Sequence, residues 1–569
     1  MALVINTNVS SLTAQRALAE SSAELETAME RLSTGSKINS AADDAAGLAM
    51  TQRMTAQVRG LAMAVKNAND GQALTQSIEG ALGEVSDMLQ RMRELALQAA
   101  NGTNSSADRT FLQSEVNLLI QEISRVSAST RYNGELILDG TFLNKALQVG
   151  IEEGENIIFS VDSVAAENVG AHTLVGEGVG ARAAQADPLA NPTTEADDIE
   201  IFGYLGTKST AASPGDSAKQ TAVKVNNLTG ETGVKAYAKT YASIESTSAE
   251  QKTYSVKING FTTGNFVISS GDVESAVDAI NQVSGSTGVT ASSSNNKIVL
   301  FDSDGDDITV ENLQTLDGFS DLRVSKLGED GLVSNVVGSA IDLGVSGGND
   351  STRVTGTLKL VSANPFSLDQ KAATRASGIK INDGAIANGD TTLTFDAGHG
   401  LAVGASFTIA GETDGPTHYV TGVSGNDITF IPALVNGHGV QTNDAITIGT
   451  ETPGYYADGS STATLKDLTQ IRVNTAVTAG DSISIIDAAL DKVAQMRSDL
   501  GAIENRLSYT VSNLMNIAEK TADARSRLDD ADFALESARL AKAQVVQQAG
   551  TQMLAQANQM TQLVLDLLR

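Results

Sequence analysis

The chain has no cysteine and no tryptophan in its 569 residues, which removes disulfides, a thiol nucleophile and thiolate metal ligation. Proline is scarce, seven in all against a usual share of roughly 5%. Those seven (Pro188, Pro192, Pro214, Pro365, Pro416, Pro432, Pro453) all lie in the middle, so 1–187 and 454–569 can form long uninterrupted helices. The four histidines, His172, His399, His418 and His438, sit apart in glycine-rich surroundings. None belongs to a His-Glu-x-x-His pattern, so turn histidines are expected rather than zinc ligands. Cations are outnumbered 39 to 68, and 39 − 68 = −29 leaves no basic excess for nucleic acid or an anionic membrane. MALVINTNVSS has no cationic n-region, and its apolar run Ala2 to Ile5 is too short for a leader or a span, so neither general secretion nor membrane insertion is expected.

Charge is also missing locally, from Met1 to Gln15 and from Ala543 to Leu565; in the second stretch the polar positions are Gln, Asn and Thr. Near the end, apolar or small residues recur at Phe533, Leu540, Val546, Ala549, Met553, Ala557, Met560, Val564 and Leu567. Steps of mostly three or four predict one apolar helix face. A surface helix ordinarily turns Lys and Glu outward, so a neutral back face predicts protein on both sides. At the front, Leu18, Leu25 and Leu32 recur every seven residues as a heptad seam. Two uncharged ends predict helices that pair with each other and with neighbouring copies. The polymerisation seam is expected at Leu18, Leu25, Leu32, Val546, Met553, Met560 and Val564.

Between the ends, Gly35 can close the first helix and Asn39, Ser40 or Asp43 can cap the next. No Gly-x-x-x-x-Gly-Lys-Ser/Thr phosphate loop occurs there. From Val58 to Ala99 apolar steps of four and three persist for about 45 residues, roughly 70 Å of helix. A second run follows at Leu112, Val116, Leu119, Ile123 and Val126, and a third at Val493, Met496, Leu500, Ile503, Leu507, Leu514 and Ile517. Seams from both ends of the chain predict a composite bundle. Tyr132-Asn-Gly-Glu reads as a tight turn, and Leu147 to Val161 as a hairpin about Glu153-Gly154. Residues 179–472 then change to Gly, Ser, Thr and Asp between short alternating runs, an acidic, β-rich outer region with no regular solenoid repeat. Within it, Tyr254 to Val310 predicts a compact mixed α/β unit, and Phe395, Phe407 to Ile409, Tyr419 and Ile428 to Ile431 a further set of hairpins.

Chemistry is hard to find. Asp302-Ser-Asp-Gly-Asp-Asp resembles a calcium loop, but its glycine stands fourth and Leu313 occupies the twelfth place, so a strand-joining turn is expected. Paired carboxylates are too common in so acidic a chain to mark a general acid and base. The sequence predicts no enzyme, no cofactor and no metal.

Several stretches closely resemble bacterial flagellin: MALVINTNVSSLTAQRAL, Arg31 to Met50, Leu89 to Asn104, Ser526 to Glu536, AKAQVVQQAGTQMLAQANQ and the final VLDLLR. The match covers about 175 residues at the front and 95 at the back. The Tyr254 unit looks like the insertion motif of flagellin and hook outer domains. The resemblance implies a multi-domain fold: terminal helices 1–44 and 526–569 in an inner coiled-coil layer, a helical bundle with a hairpin from 45–178 and 473–525, and variable surface-exposed outer domains over 179–472, with the insertion motif near 254–310. It implies a structural subunit that self-assembles into the extracellular flagellar filament used for swimming, exported unfolded by the flagellar type III apparatus, its termini disordered until assembly. Implied partners are further copies of the chain, an export chaperone on the C-terminal segment, and hook-associated and cap proteins. Arg91, Leu95 and Glu115 fall where flagellins recognised by vertebrate Toll-like receptor 5 have their central contacts, and Leu119 stands where the family often has a basic residue. A hook-filament junction protein, a flagellin whose insert adds adhesion or catalysis, and a coiled-coil signal receptor are the alternatives, the last opposed by the lack of a membrane span.

Overall fold

The computed structural model describes residues 8–567 apart from 190, 192–198, 211–214, 249, 270–271, 315–320, 371–378, 384–385, 388, 397–400, 402–405, 411, 413–417, 435–443, 449–453 and 457–458; side chains are described through 559, except at 406, 447, 448 and 459. Helix α1 (Val9–Thr34) begins where the Asn8 side chain accepts the Ser11 amide at 3.0 Å, and it ends at Gly35, whose φ of 72° is left-handed. Helix α2 (Ala45–Ala100) runs unbroken for 56 residues, about 84 Å at 1.5 Å per residue. Its cap is Asp44, which accepts from Gly47 N at 2.9 Å. The expected caps are not used, because Asp43 spends its carboxylate on the amides of Asn39 and Ser40 in the preceding turn. Helix α3 (Ser106–Ser129) opens with a reciprocal Ser105–Asp108 capping box. Strands β1 (Arg131–Tyr132) and β2 (Glu135–Leu136) then meet through Asn133 and Gly134, both at positive φ. Strands β3 (Lys145–Gln148) and β4 (Asn156–Phe159) form the expected hairpin.

Strand β5 (Gly170–Gly176) leads into the insert. Strands β6 (Ile199–Phe202) and β7 (Thr207–Thr210) are followed by α4 (Ala218–Asn227), the short α5 (Thr229–Thr232) and β8 (Lys235–Ser246). A similar run then recurs: β9 (Lys252–Tyr254), β10 (Val256–Ile258), β11 (Phe261–Thr262), β12 (Phe266–Ile268), α6 (Glu274–Gln282), α7 (Ser284–Thr287) and β13 (Val289–Ser294). The likeness extends to single hydrogen bonds. Asn226 holds Ala236 by both backbone groups at 2.9 and 2.7 Å, and Asn281 holds Ala291 at the same two distances. Gly233 and Gly288 each end their short helix at φ 76°.

The second unit closes locally, with β14 (Lys297–Asp302) pairing β13 and β15 (Ile308–Asn312) pairing β10. After β16 (Leu322–Leu327), β17 (Val336–Leu343) and β18 (Ser351–Val354), the first unit is completed by β19 (Thr357–Ser362) and β20 (Ser367–Gln370). The registers correspond: Ala236 faces Leu360 as Ala291 faces Leu300, and β20 pairs β6 as β15 pairs β10. One α/β unit is thus nested inside another. The sequence reading finds only the inner one, because the outer is cut in two by its own guest. A third module, of β21 (Thr392–Thr394), β22 (Ser406–Ile409), β23 (His418–Ser424), β24 (Asp427–Ile431) and β25 (Ile446–Ile448), forms a five-stranded sheet where hairpins were expected. It leaves after Gln370, and the chain is back in the outer unit by Tyr455 and Tyr456, which are buried in that unit's core, before Gly459 pairs with Gln370 in β26 (Gly459–Thr462). Strand β27 (Thr464–Asp467) then pairs with β5.

Helix α8 (Ala476–Asp529) returns antiparallel along α2, with Arg93–Asp487 at 2.6 Å, Gln76–Glu504 at 2.7 Å and Leu61 packed with Leu514. Its first 17 residues, Ala476 to Lys492, precede anything the heptads show. The core joins Ile78, Leu82, Leu89 and Met92 of α2 to Val116 and Ile123 of α3 and Ile486, Val493 and Leu500 of α8. Ile517, expected in this seam, is exposed. The cluster continues through Ala171, Val361, Leu468, Ile471 and Val473, so the root of the insert shares the core of the bundle. Helix α9 (Phe533–Leu567) follows a short link. There Lys37 N donates to Asp529 O at 2.5 Å and Ala531 N to Gly35 O at 2.9 Å, tying both connections together.

Candidate assembly and recognition surfaces

Helices α1 and α9 form an antiparallel pair. Asn8 Nδ2 donates to Ala557 O at 3.0 Å, Ser11 Oγ to Asn558 Oδ1 at 2.9 Å and Ser21 Oγ to Ala543 O at 3.0 Å, with Arg31–Glu536 at 3.4 Å closing the far end. Small residues make this possible. Ser11, Ser21 and Ala28 are buried against α9, and Leu18 comes within contact of Gly550. Leu18, Leu25 and Leu32 are half-buried on this intrachain seam. The alternation of small and large residues was the available signal, and reading leucines alone passed over it.

The single apolar face expected for the last helix is divided in two. Leu540, Ala557 and Leu554, the last not singled out by spacing, lie on the half-buried side towards α1. Phe533, Val546 and Met553 are 70%, 43% and 66% exposed. The division arises because positions three and four apart drift around the helix unless one strict heptad is kept. Val546 and Met553 therefore have no cover within the described chain, whereas the side chains of Met560 and Val564 lie outside the described residues. Val9, Leu12, Met29, Leu535 and Val545 extend the uncovered apolar surface over both helices.

On the bundle, Arg91 Nε meets Glu115 Oε1 at 3.0 Å and Nη1 meets Glu94 Oε2 at 2.9 Å. Hydrogen bonds to Glu94 and Glu115 raise the guanidinium pKa further above its ordinary range. Arg91 and Leu95, four residues apart on one helix, differ sharply in exposure. Arg91 is half exposed, whereas Leu95 is 1% exposed and sits on the core stripe with Met92 and Ala99. Those neighbours, three before and four after, carry Leu95 inward. Leu119 likewise packs against the core. The exposed apolar residues nearby are Phe111 and Leu118 of α3 and Leu97 of α2. They were legible as residues one place out of register with Leu112 and Leu119.

The remaining candidates are structural. Asp302 accepts the amides of Asp304 and Gly305 at 2.9 and 3.0 Å, and Lys219 binds Asp304 and Asp306 at 3.1 and 2.8 Å, making the stretch a tied turn. His172 and His418 lie on strands rather than in turns. His418 is wholly buried between Glu412, 2.6 Å from Nε2, and the Pro432 carbonyl, 2.8 Å from Nδ1; burial and Lys492 lower the pKa of His172. His399 and His438 lie outside the described residues. Among the described residues no helix is long and apolar enough to cross a membrane.

Both helical ends of the chain match known families. The family described as bacterial flagellin N-terminal helical region matches residues 5–143, and that described as bacterial flagellin C-terminal helical region matches 483–568. Over the whole of both chains, the sequence is 32% identical to the B-type flagellin of Pseudomonas aeruginosa and 32% identical to a flagellin of Salmonella typhimurium. A solved structure titled FliC from Burkholderia pseudomallei aligns with 77% of this chain and 99% of its own, at 14% identity and a TM-score of 0.26.

Proposed function

The chain belongs to the bacterial flagellin family, and from that premise we infer that it is a structural subunit that self-assembles into the flagellar filament. The observation that carries this is the α1–α9 pair, one side of which satisfies its partner helix while the other leaves Val546, Met553 and Phe533 uncovered. Burying such a surface between copies is favourable at about 25 cal/mol per Å². A fibre of identical subunits needs a patch of this kind that does not close on itself. The filament lies outside the cell and serves swimming. The subunit has no catalytic role.

The proposed layers are an inner one of 1–44 and 526–569, a bundle of 45–178 and 473–525, and surface domains over 179–472. The proposed partners are hook-associated and cap proteins at the filament ends, and an export chaperone that covers the uncharged C-terminal segment before assembly. The Arg91–Glu115 pair is proposed as the polar centre of a Toll-like receptor 5 contact, with Leu95 supporting it from beneath and Phe111 and Leu118 beside it. A junction protein is disfavoured by full-length identity to flagellins. Seeding the purified chain with short filament fragments tests the reading. The intact chain should grow long filaments and a chain ending at residue 525 none; equal growth by both would refute it.

A further inference from the structure

Where the insert stands on the bundle, five charged side chains from three bodies converge. Lys359 of β19 is 7% exposed, with Nζ 2.5 Å from Glu329 Oε1, in the turn between β16 and β17, and 3.6 Å from Asp481 Oδ1 on α8. Lys239 of β8 reaches the same Asp481 oxygen at 2.9 Å, and Lys466 of β27 lies 3.6 Å from Glu329 Oε2. The group borders a cavity of about 110 Å³ that Tyr237 and Thr357 also line, so close packing does not fix the geometry on this side. Burial lowers the Lys359 pKa, but Glu329 and Asp481 outweigh it and the ammonium is held above its ordinary range.

Val361, Leu468, Ile471 and Val473 keep the insert attached to the bundle core, but apolar contact is non-directional. A buried charge shared at short range is directional, and in some proteins such a group specifies one arrangement rather than adding stability. Lys359 belongs to the outer α/β unit, Asp481 to the bundle, and Glu329 to the turn of the β16–β17 hairpin, whose Leu322, Val324 and Leu343 pack in the core of the nested unit. We propose that Lys359 is a positioning residue whose ammonium, shared by Glu329 and Asp481, sets the angle at which both α/β units stand on the helical bundle. Without it two carboxylates face each other with only their outer lysines, and the root opens towards the cavity.

The absence of native cysteine allows a clean test. Gln90→Cys on α2 and Ser292→Cys on β13, both exposed positions, are labelled with nitroxides and their distance distribution is measured by double electron–electron resonance in the full chain. Lys359→Met should at least double the width of the distribution at unchanged helix content, and Lys359→Arg should restore most of it. Asp481→Asn, a milder change on the helix, should broaden it as well and decides the matter if Lys359→Met does not fold. Folded variants with the parent's width would overturn the proposal.

Discussion

Single side chains divide here into those that hold the bundle and those that wait at its surface. Leu95→Ala should cost about 2–5 kcal/mol, as a buried leucine truncation does, and appear as a lower urea midpoint. Arg91→Ala, with its partners half exposed, should leave that midpoint nearly unchanged. If Arg91 is central to receptor contact, it should raise the concentration for half-maximal Toll-like receptor 5 signalling about tenfold or more. Equal signalling by Arg91→Ala and the parent would remove that assignment. A second residue ties the insert to pH. Lys326 on β16 is fully buried, its Nζ surrounded by four acceptors, Glu177 O and, at 3.1 Å each, Val179 O, Gly356 O and Thr355 Oγ1. Burial lowers its pKa from 10.5 to about 7. Between those values the unfolded chain binds a proton that the folded chain does not, so this residue's contribution to stability rises with pH across the window. The urea midpoint of the parent should therefore gain on that of Lys326→Met between pH 6.5 and 8.5; a constant difference would contradict this.

Elements show how far the sequence could be read. The long helices were legible because few prolines and a persistent three-four beat leave little alternative, and the turn at Asn133-Gly134 because only such residues take positive φ readily. The direction of α9 was less legible: Phe533, Val546 and Met553 satisfy the spacing rule yet lie outside the pair, because contact depends on which of two drifting stripes the partner's small residues select. The nested α/β units were half legible. Ile298 to Val310 follows its unit directly, whereas the equivalent strands of the outer unit, Thr357–Ser362 and Ser367–Gln370, come more than a hundred residues later. The same nesting makes the third module separable. Gly454 already lies against the Gln370 side chain, so joining Gln370 to Gly454 through a short turn and deleting 371–453, which keeps the buried Tyr455 and Tyr456, should leave the melting transition of the bundle within a few degrees of the parent. A loss of the bundle's helical signal would show that the module supports it.

At the scale of the whole molecule, a bundle with a complete core carries an inner helix pair whose packing is small, polar and one-sided. The pair is joined by serine and asparagine hydrogen bonds and faces solvent with Val545, Val546 and Met553. Helices so supported gain most of their stability from the contacts that cover their open side. Met553→Lys should consequently abolish seeded growth while leaving the monomer's bundle transition unchanged, since a charge buried between copies is costly. The most direct measurement is hydrogen exchange of the backbone amides in 8–34 and 533–567, in the monomer and in the filament. Exchange that is fast in the monomer and slowed at least a thousandfold in the filament, with α2 and α8 protected in both, is the predicted result; terminal amides protected as well in the monomer as in the filament would contradict folding by assembly.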